Sequence, residues 1–127
     1  MSFSFTEGQR QAIETRHRSL IVSAAAGSGK TRVLTERVLR YITDPEENEE
    51  IDRFLIITYT RAAAGEMRSR IMDAIAEAAA ANPSDRRLRR QQDKCYQAPI
   101  GTIHSFCFLC TSDSIVTVKF FPLPFLG

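Results

Sequence analysis

The sequence has no apolar run long enough to cross a membrane. No window approaches the roughly 20 apolar residues of a bilayer span, and the amino-terminal "MSFSFTEGQRQAIETRHR" has no apolar h-region of a secretory leader. Cysteine is scarce: Cys95, Cys107 and Cys110 are three, an odd number, with neither a second pair nor a histidine cluster at metal-ligand spacing. That leaves no disulfide framework and no zinc-type ligand set, and it reads as reduced thiols in a cytoplasmic protein. Charge of either sign is barely in excess, since 17 Lys+Arg against 15 Asp+Glu give +2. Overall charge therefore does not mark a nucleic-acid partner. The local surplus is Arg86, Arg87, Arg89 and Arg90, which reads first as a solvated helix face and only second as a phosphate track. At 127 residues and 43% hydrophobic, the chain has room for one ordinary globular domain.

The stretch that is there, and carries chemistry, is "VSAAAGSGKTRVL", residues 22–34. Leu20, Ile21 and Val22 form a short apolar run of the kind buried in a parallel sheet, and the residues from Ala24 to Gly29 have almost no side chains. Val33, Leu34, Val38, Leu39 and Ile42 then recur at helical spacing up to Asp44-Pro45, so a helix is expected to begin near Gly29 or Lys30. A strand, a small-residue loop and a helix amino terminus together form an anion site, because main-chain N–H groups and the positive end of the helix dipole converge there. A triphosphate is its usual occupant. Lys30 would reach the β- and γ-phosphates and the Thr31 hydroxyl would hold Mg2+. Gly29, Lys30 and Thr31 complete the pattern G-x-x-x-x-G-K-[ST], with Ala24 where the first glycine belongs. The alternative is a glycine turn that merely caps a helix.

Downstream, "FLIITYT" (residues 54–60) reads as a second buried strand. From Arg61 a helix carries Ala64, Met67, Ile71, Ile75 and Ala78 on one face, and Asn82-Pro83-Ser84 ends it. The unit from Leu20 to Thr60 is thus expected to be strand–helix–strand, the signature of a parallel α/β sheet. A polar helix from Asp85 to about Cys95 and a short strand in "APIGTIH" follow. They place Thr102, His104 and Ser105 at a strand's carboxyl end, the edge where open α/β sheets bind ligands.

"FTEGQRQAI", "SAAAGSGKT", "IITYTRAAAGEMRSRI" and "GTIHSFC", in that order and spacing, resemble the Q motif and motifs I, Ia and Ib of UvrD/Rep-type superfamily 1 DNA helicases. Within that family the resemblance is strongest to the AddA (RexA) type of helicase–nuclease subunit, through "LRRQ" at Leu88–Gln91 and the cysteine that closes "TIHSFC". It covers residues 3 to 107, and the alanine-led phosphate loop fits it. It implies an α/β fold, a partial RecA-like P-loop NTPase domain at residues 1–107, and a tail of 108–127 outside the family pattern. It also implies ATP-dependent action on DNA in double-strand break repair. For the nucleotide it implies Ala24, Ala25, Ala26, Gly27, Ser28, Gly29, Lys30, Thr31 and Arg32 around the phosphates, with Lys30 and Thr31 acting in catalysis and Thr31 on Mg2+. Gln9 would read the adenine edge, its amide both donating and accepting, with Arg37 close to the base. Thr58, Tyr59, Thr60, Arg61 and His104 would contact single-stranded DNA, by ring stacking and phosphate neutralisation. A second subunit of the AddB type is the implied protein partner, and no membrane is.

After Cys107, "FLCTSDSIVTVKFFPLPFLG" has no helical period, and its apolar residues have no element prepared to receive them. No Walker B acidic pair, arginine finger or nuclease carboxylates are identifiable, so little or no ATP hydrolysis is expected of the chain. The sequence reads as the amino-terminal piece of such a helicase. Another P-loop enzyme, such as a small kinase, and a non-enzymatic nucleotide- or DNA-binding module are the alternatives.

Overall fold

A computed structural model describes residues 4–22, 29–109 and 120–121. Its elements follow from local chemistry. Helix α1 (Glu7–Glu14) opens with a capping box: the Thr6 hydroxyl accepts from the Gln9 N–H at 3.3 Å, and the Gln9 side-chain oxygen accepts from the Thr6 N–H at 2.9 Å. Helix α2 (Lys30–Thr43) buries Val33, Leu34, Val38 and Ile42, the apolar stripe legible in the sequence, and ends at Asp44. A 3-10 turn (Ile51–Arg53) leads into strand β1 (Leu55–Thr58), which stops short of Thr60 because that residue caps the next helix, α3 (Arg61–Ala81). Asp85 caps α4 (Arg86–Cys95), accepting from the N–H groups of Arg87 and Leu88. Strand β2 (Ile100–Thr102), helix α5 (Ile103–Leu109) and strand β3 (Phe120–Phe121) complete the order.

The sheet is parallel, in the order β2-β1-β3. Ile56 pairs with Ile100 and Thr58 with Thr102, so β1 and β2 end side by side. Helices α3 and α4 form the crossover between them. The core joins Val38 and Ile42 of α2, Phe54 after the 3-10 turn, Ile56 of β1, Met67, Ile71 and Ile75 of α3, and Leu88 and Cys95 of α4. Each fully buried isoleucine or phenylalanine is worth about 1.5–3 kcal/mol relative to exposure. A smaller cluster of Ala12, Ile13 and Val33 fastens α1 to α2. Side chains of α4 fix the incoming loop: the Gln91 oxygen accepts from the Ile51 N–H at 2.8 Å, and Lys94 bridges Glu50 and Asp52.

Two expectations are corrected. Leu20–Val22 is not a strand; Leu20 and Val22 lean on the small cluster while Ile21 is 88% exposed. An apolar run becomes a strand only where another strand's edge accepts its main chain. Here β1 has β2 on one edge and β3 on the other, and the segment lies against the α1–α2 cluster instead. The strand–helix–strand unit therefore runs from β1 to β2, not from Leu20 to Thr60. The tail is also not wholly without a receiving element: Phe120–Phe121 pairs with Leu55 and Ile56 of β1.

Candidate functional site

Helix α2 starts differently from the other long helices. Thr6, Thr60 and Asp85 cap α1, α3 and α4 with a side-chain oxygen, whereas α2 begins at Gly29 with no side-chain cap. Gly29 adopts φ 83°, a left-handed conformation that glycine takes without steric cost, and its carbonyl accepts from the Val33 N–H at 3.0 Å. The positive end of the α2 dipole thus lies at Gly29, with Lys30 and Arg32 on the first turn, an arrangement that suits an anion. Lys30 and Thr31 are half-buried and Arg32 is exposed, its guanidinium 4.8 Å over the Phe5 ring. Gln9 comes to the same end, with its amide nitrogen 3.7 Å from the place a Cβ on Gly29 would take. These residues fit a nucleoside triphosphate: Lys30 and the helix end for the phosphates, Thr31 for Mg2+, Gln9 for a base. Ala24, Ala25, Ala26, Gly27 and Ser28 lie outside the described residues.

Arg37 stands two turns further along α2 and is buried. Its guanidinium donates to the Ala12 and Thr15 carbonyls, both at 2.6 Å, and to the Tyr41 hydroxyl at 3.3 Å. These carbonyls close the negative end of α1, so Arg37 fixes the helix that carries Gln9. Burial pulls the Arg37 pKa down from its ordinary value, Tyr41 opposing and Arg16 adding to the fall.

The strand ends hold the other candidate residues. Thr58 is buried, its hydroxyl donating to the Thr60 carbonyl at 3.0 Å, and the Thr60 hydroxyl accepts from the Ala63 N–H at 3.0 Å. These two threonines are framework. Between and after them Tyr59 is 84% exposed and Arg61 is exposed; across the register from Thr58, Thr102 leads into exposed Ile103 and His104. The Thr102 and Ser105 hydroxyls lie 3.2 Å apart. A Cβ on Gly101 would stand 3.1 Å from that of Ser105, which is why a glycine lets the chain turn straight from strand into α5. The edge therefore offers a ring, an isoleucine, a guanidinium and an imidazole together, a surface for stacking and phosphate contact.

One residue that no motif singles out sets this edge. Arg68 donates to the carbonyls of Cys95, Tyr96 (3.2 Å), Ala98 (3.1 Å) and Ile100 (3.0 Å), fixing the end of α4 and the start of β2. Its signal in the sequence is its place: Arg68 falls on the buried Ala64–Ile71–Ile75 stripe at helical spacing. Burial pushes the Cys95 thiol up, with Arg68 partly opposing.

A helix start without a side-chain cap, beside parallel strands joined through two helices, places the chain among the α/β proteins. The chain belongs to the family of the UvrD/REP helicase N-terminal domain, which matches residues 5–122. Curated relatives named as the A subunit of an ATP-dependent helicase/nuclease include that of Thermoanaerobacter sp. (strain X514), 52% identical over 107 residues, 84% of this chain and 9% of the relative. That of Clostridium beijerinckii is 52% identical over 103 residues, 81% and 8%. That of Clostridium botulinum (strain Loch Maree / Type A3) is 43% identical over 121 residues, 95% and 10%. The chain thus spans a tenth or less of the length of these relatives. Among the described residues no helix is long and apolar enough to cross a membrane.

Proposed function

We propose that the chain forms the nucleotide-binding start of a RecA-like motor domain in a helicase–nuclease subunit that acts on DNA breaks in the cytoplasm beside a second subunit of the AddB type. The observation that carries this reading is the α2 terminus, where Gly29, Lys30 and Thr31 begin a helix with no side-chain cap and Gln9 stands alongside. Lys30 binds the β- and γ-phosphates, Thr31 holds Mg2+, and the metal supplies charge neutralisation at the phosphates. Gln9 would read an adenine edge through a side-chain amide that both accepts and donates. Arg37 acts through α1 by holding Gln9 in place. At the strand edge Tyr59 stacks on a base of single-stranded DNA, while Arg61 and His104 meet its backbone; Thr58 and Thr60 position them. With no acidic pair identified to orient water, nucleotide is bound without appreciable turnover.

Isothermal titration with ATP and Mg2+ tests the nucleotide site. Losing the Lys30 ammonium removes a charge-assisted contact of about 1.5–3 kcal/mol, so Lys30→Ala should weaken binding roughly 10- to 100-fold. Equal heats for the two proteins would refute the assignment. Fluorescence anisotropy with a labelled single-stranded oligonucleotide tests the edge: Tyr59→Ala should cost about 1–3 kcal/mol of affinity, and unchanged affinity would remove the ring from the site. Phosphate release should not exceed that of Lys30→Ala, with or without the oligonucleotide.

A further inference from the structure

The first turn of α4 carries more cations than that of any other described helix, three arginines against Lys30 and Arg32 in α2 and Arg61 in α3. In α2 and α3, Arg40 and Arg70 each follow a glutamate by four residues and pair with it, Glu36 and Glu66 respectively. In α4, Arg86, Arg87 and Arg89 crowd the first turn, where the helix dipole disfavours cations, and Arg86 and Arg90 are like charges at i,i+4. Asp85, four residues before Arg89, spends its carboxylate on the cap. Arg87 turns inward to the Ile42 carbonyl. Arg86, Arg89 and Arg90 are exposed on one face. Among the described residues Arg86 and Arg90 have no side-chain partner, and Arg89 has a 3.3 Å contact to the Pro83 carbonyl. Asp93, within a turn of Arg89 and Arg90, forms no ion pair with either. A sequence that breaks local helix rules without gaining a contact marks a surface kept for something outside the fold.

We propose that Arg86, Arg89 and Arg90 form a second nucleic-acid surface, one that grips the backbone of duplex DNA. Three side chains at i, i+3 and i+4 give a compact cationic stripe of planar donors suited to phosphate. The stripe lies at the far end of α3 from Tyr59 and Arg61: 21 residues at about 1.5 Å each separate the two by roughly 30 Å, so a different stretch of nucleic acid must occupy it. Among the described residues it has charge but no ring, exposed Tyr96 following the opposite end of α4. Single-strand sites need stacking platforms, whereas a duplex hides the faces of its bases and presents its phosphates on the outside.

The test is anisotropy with a labelled duplex and a single strand of equal length, using the 127-residue chain and the triple variant Arg86→Gln, Arg89→Gln, Arg90→Gln. Three phosphate contacts contribute a roughly 40-fold fall in duplex affinity between about 50 and 200 mM salt. The variant should lose that salt dependence, keep single-strand binding, and unfold at the same or a higher midpoint. An unchanged duplex salt slope would overturn the proposal. So would a lowered unfolding midpoint, which would make the arginines part of the fold, or displacement of the duplex by poly-glutamate at equal charge, which would point to an acidic protein. Tyr59→Ala run in parallel keeps the outcomes apart, since failure of the strand-edge reading changes only the single-strand arm.

Discussion

Arg68→Ala should be far more damaging than its position on a polar-looking helix suggests. The side chain donates to four carbonyls. Tyr96 is 69% exposed, so its carbonyl returns to water at little cost, whereas Cys95, Ala98 and Ile100 are only 0%, 3% and 7% exposed. The Ala98 carbonyl keeps the Ile100 N–H at 2.8 Å, so two acceptors are stranded, those of Cys95 and Ile100. At about 1–3 kcal/mol each, the low end gives about 2 kcal/mol. A domain of this size has about 5–15 kcal/mol in all, and the loss corresponds to a fall of about 7 °C in Tm. Arg68→Lys should recover little, because a compact ammonium cannot span carbonyls that a planar fork reaches at once. Arg70 supplies the control from the same helix: it pairs with Glu66 in the open, and Arg70→Ala should cost about 0.5 kcal/mol or less. Urea unfolding followed by far-ultraviolet circular dichroism measures all three. If Arg68→Ala and Arg70→Ala shift the midpoint equally, the clamp carries no weight and the argument fails.

Native protein on a Cys110→Ser background should react with Ellman's reagent at exposed Cys107 and not at Cys95, whose thiol is buried and raised in pKa; prompt reaction of both would contradict this burial. Lys94 has its pKa raised, first by its hydrogen bond to Glu50 and then by that to Asp52. A folded value above the unfolded one means that its stabilisation is complete below about pH 10.4 and declines as pH rises through the folded value. The stability difference between wild type and Lys94→Met should therefore be flat from neutral pH to about 10.4 and shrink above that. A difference that already collapses near neutrality would assign it to another group.

What the sequence made legible was local. The stripes Val33–Ile42 and Ala64–Ile75 declare α2 and α3 because burial repeats with the helical period, and Asn82-Pro83 ends α3 by removing a donor. The illegible parts depend on partners distant in sequence. Leu20–Val22 looks like a strand until the sheet assigns the edges of β1 to β2 and β3. Arg37 reaches carbonyls 22 and 25 residues away, and Arg68 reaches others 27 to 32 away, so neither role has a local pattern. Gln9 was legible as a candidate ligand, yet its capping-box geometry with Thr6 emerged only with α1. In "TYTR" the four residues were indistinguishable as candidate contacts. The strand's alternation and the helix cap separated them, turning Thr58 inward and committing Thr60 to Ala63.

That separation has an evolutionary consequence. The side chains that would touch nucleic acid, Tyr59, Arg61 and His104, are not those that secure the strand ends, a task held by Thr58, Thr60 and Gly101. Exposed positions away from packing change stability by less than about 0.5 kcal/mol. Preference for one base or backbone over another can thus drift by single substitutions at Tyr59 or His104, without compensating changes elsewhere in the chain. A change at Thr58 or Gly101 must instead be matched by its neighbours before it can spread, so divergence at this edge should accumulate at alternate residues.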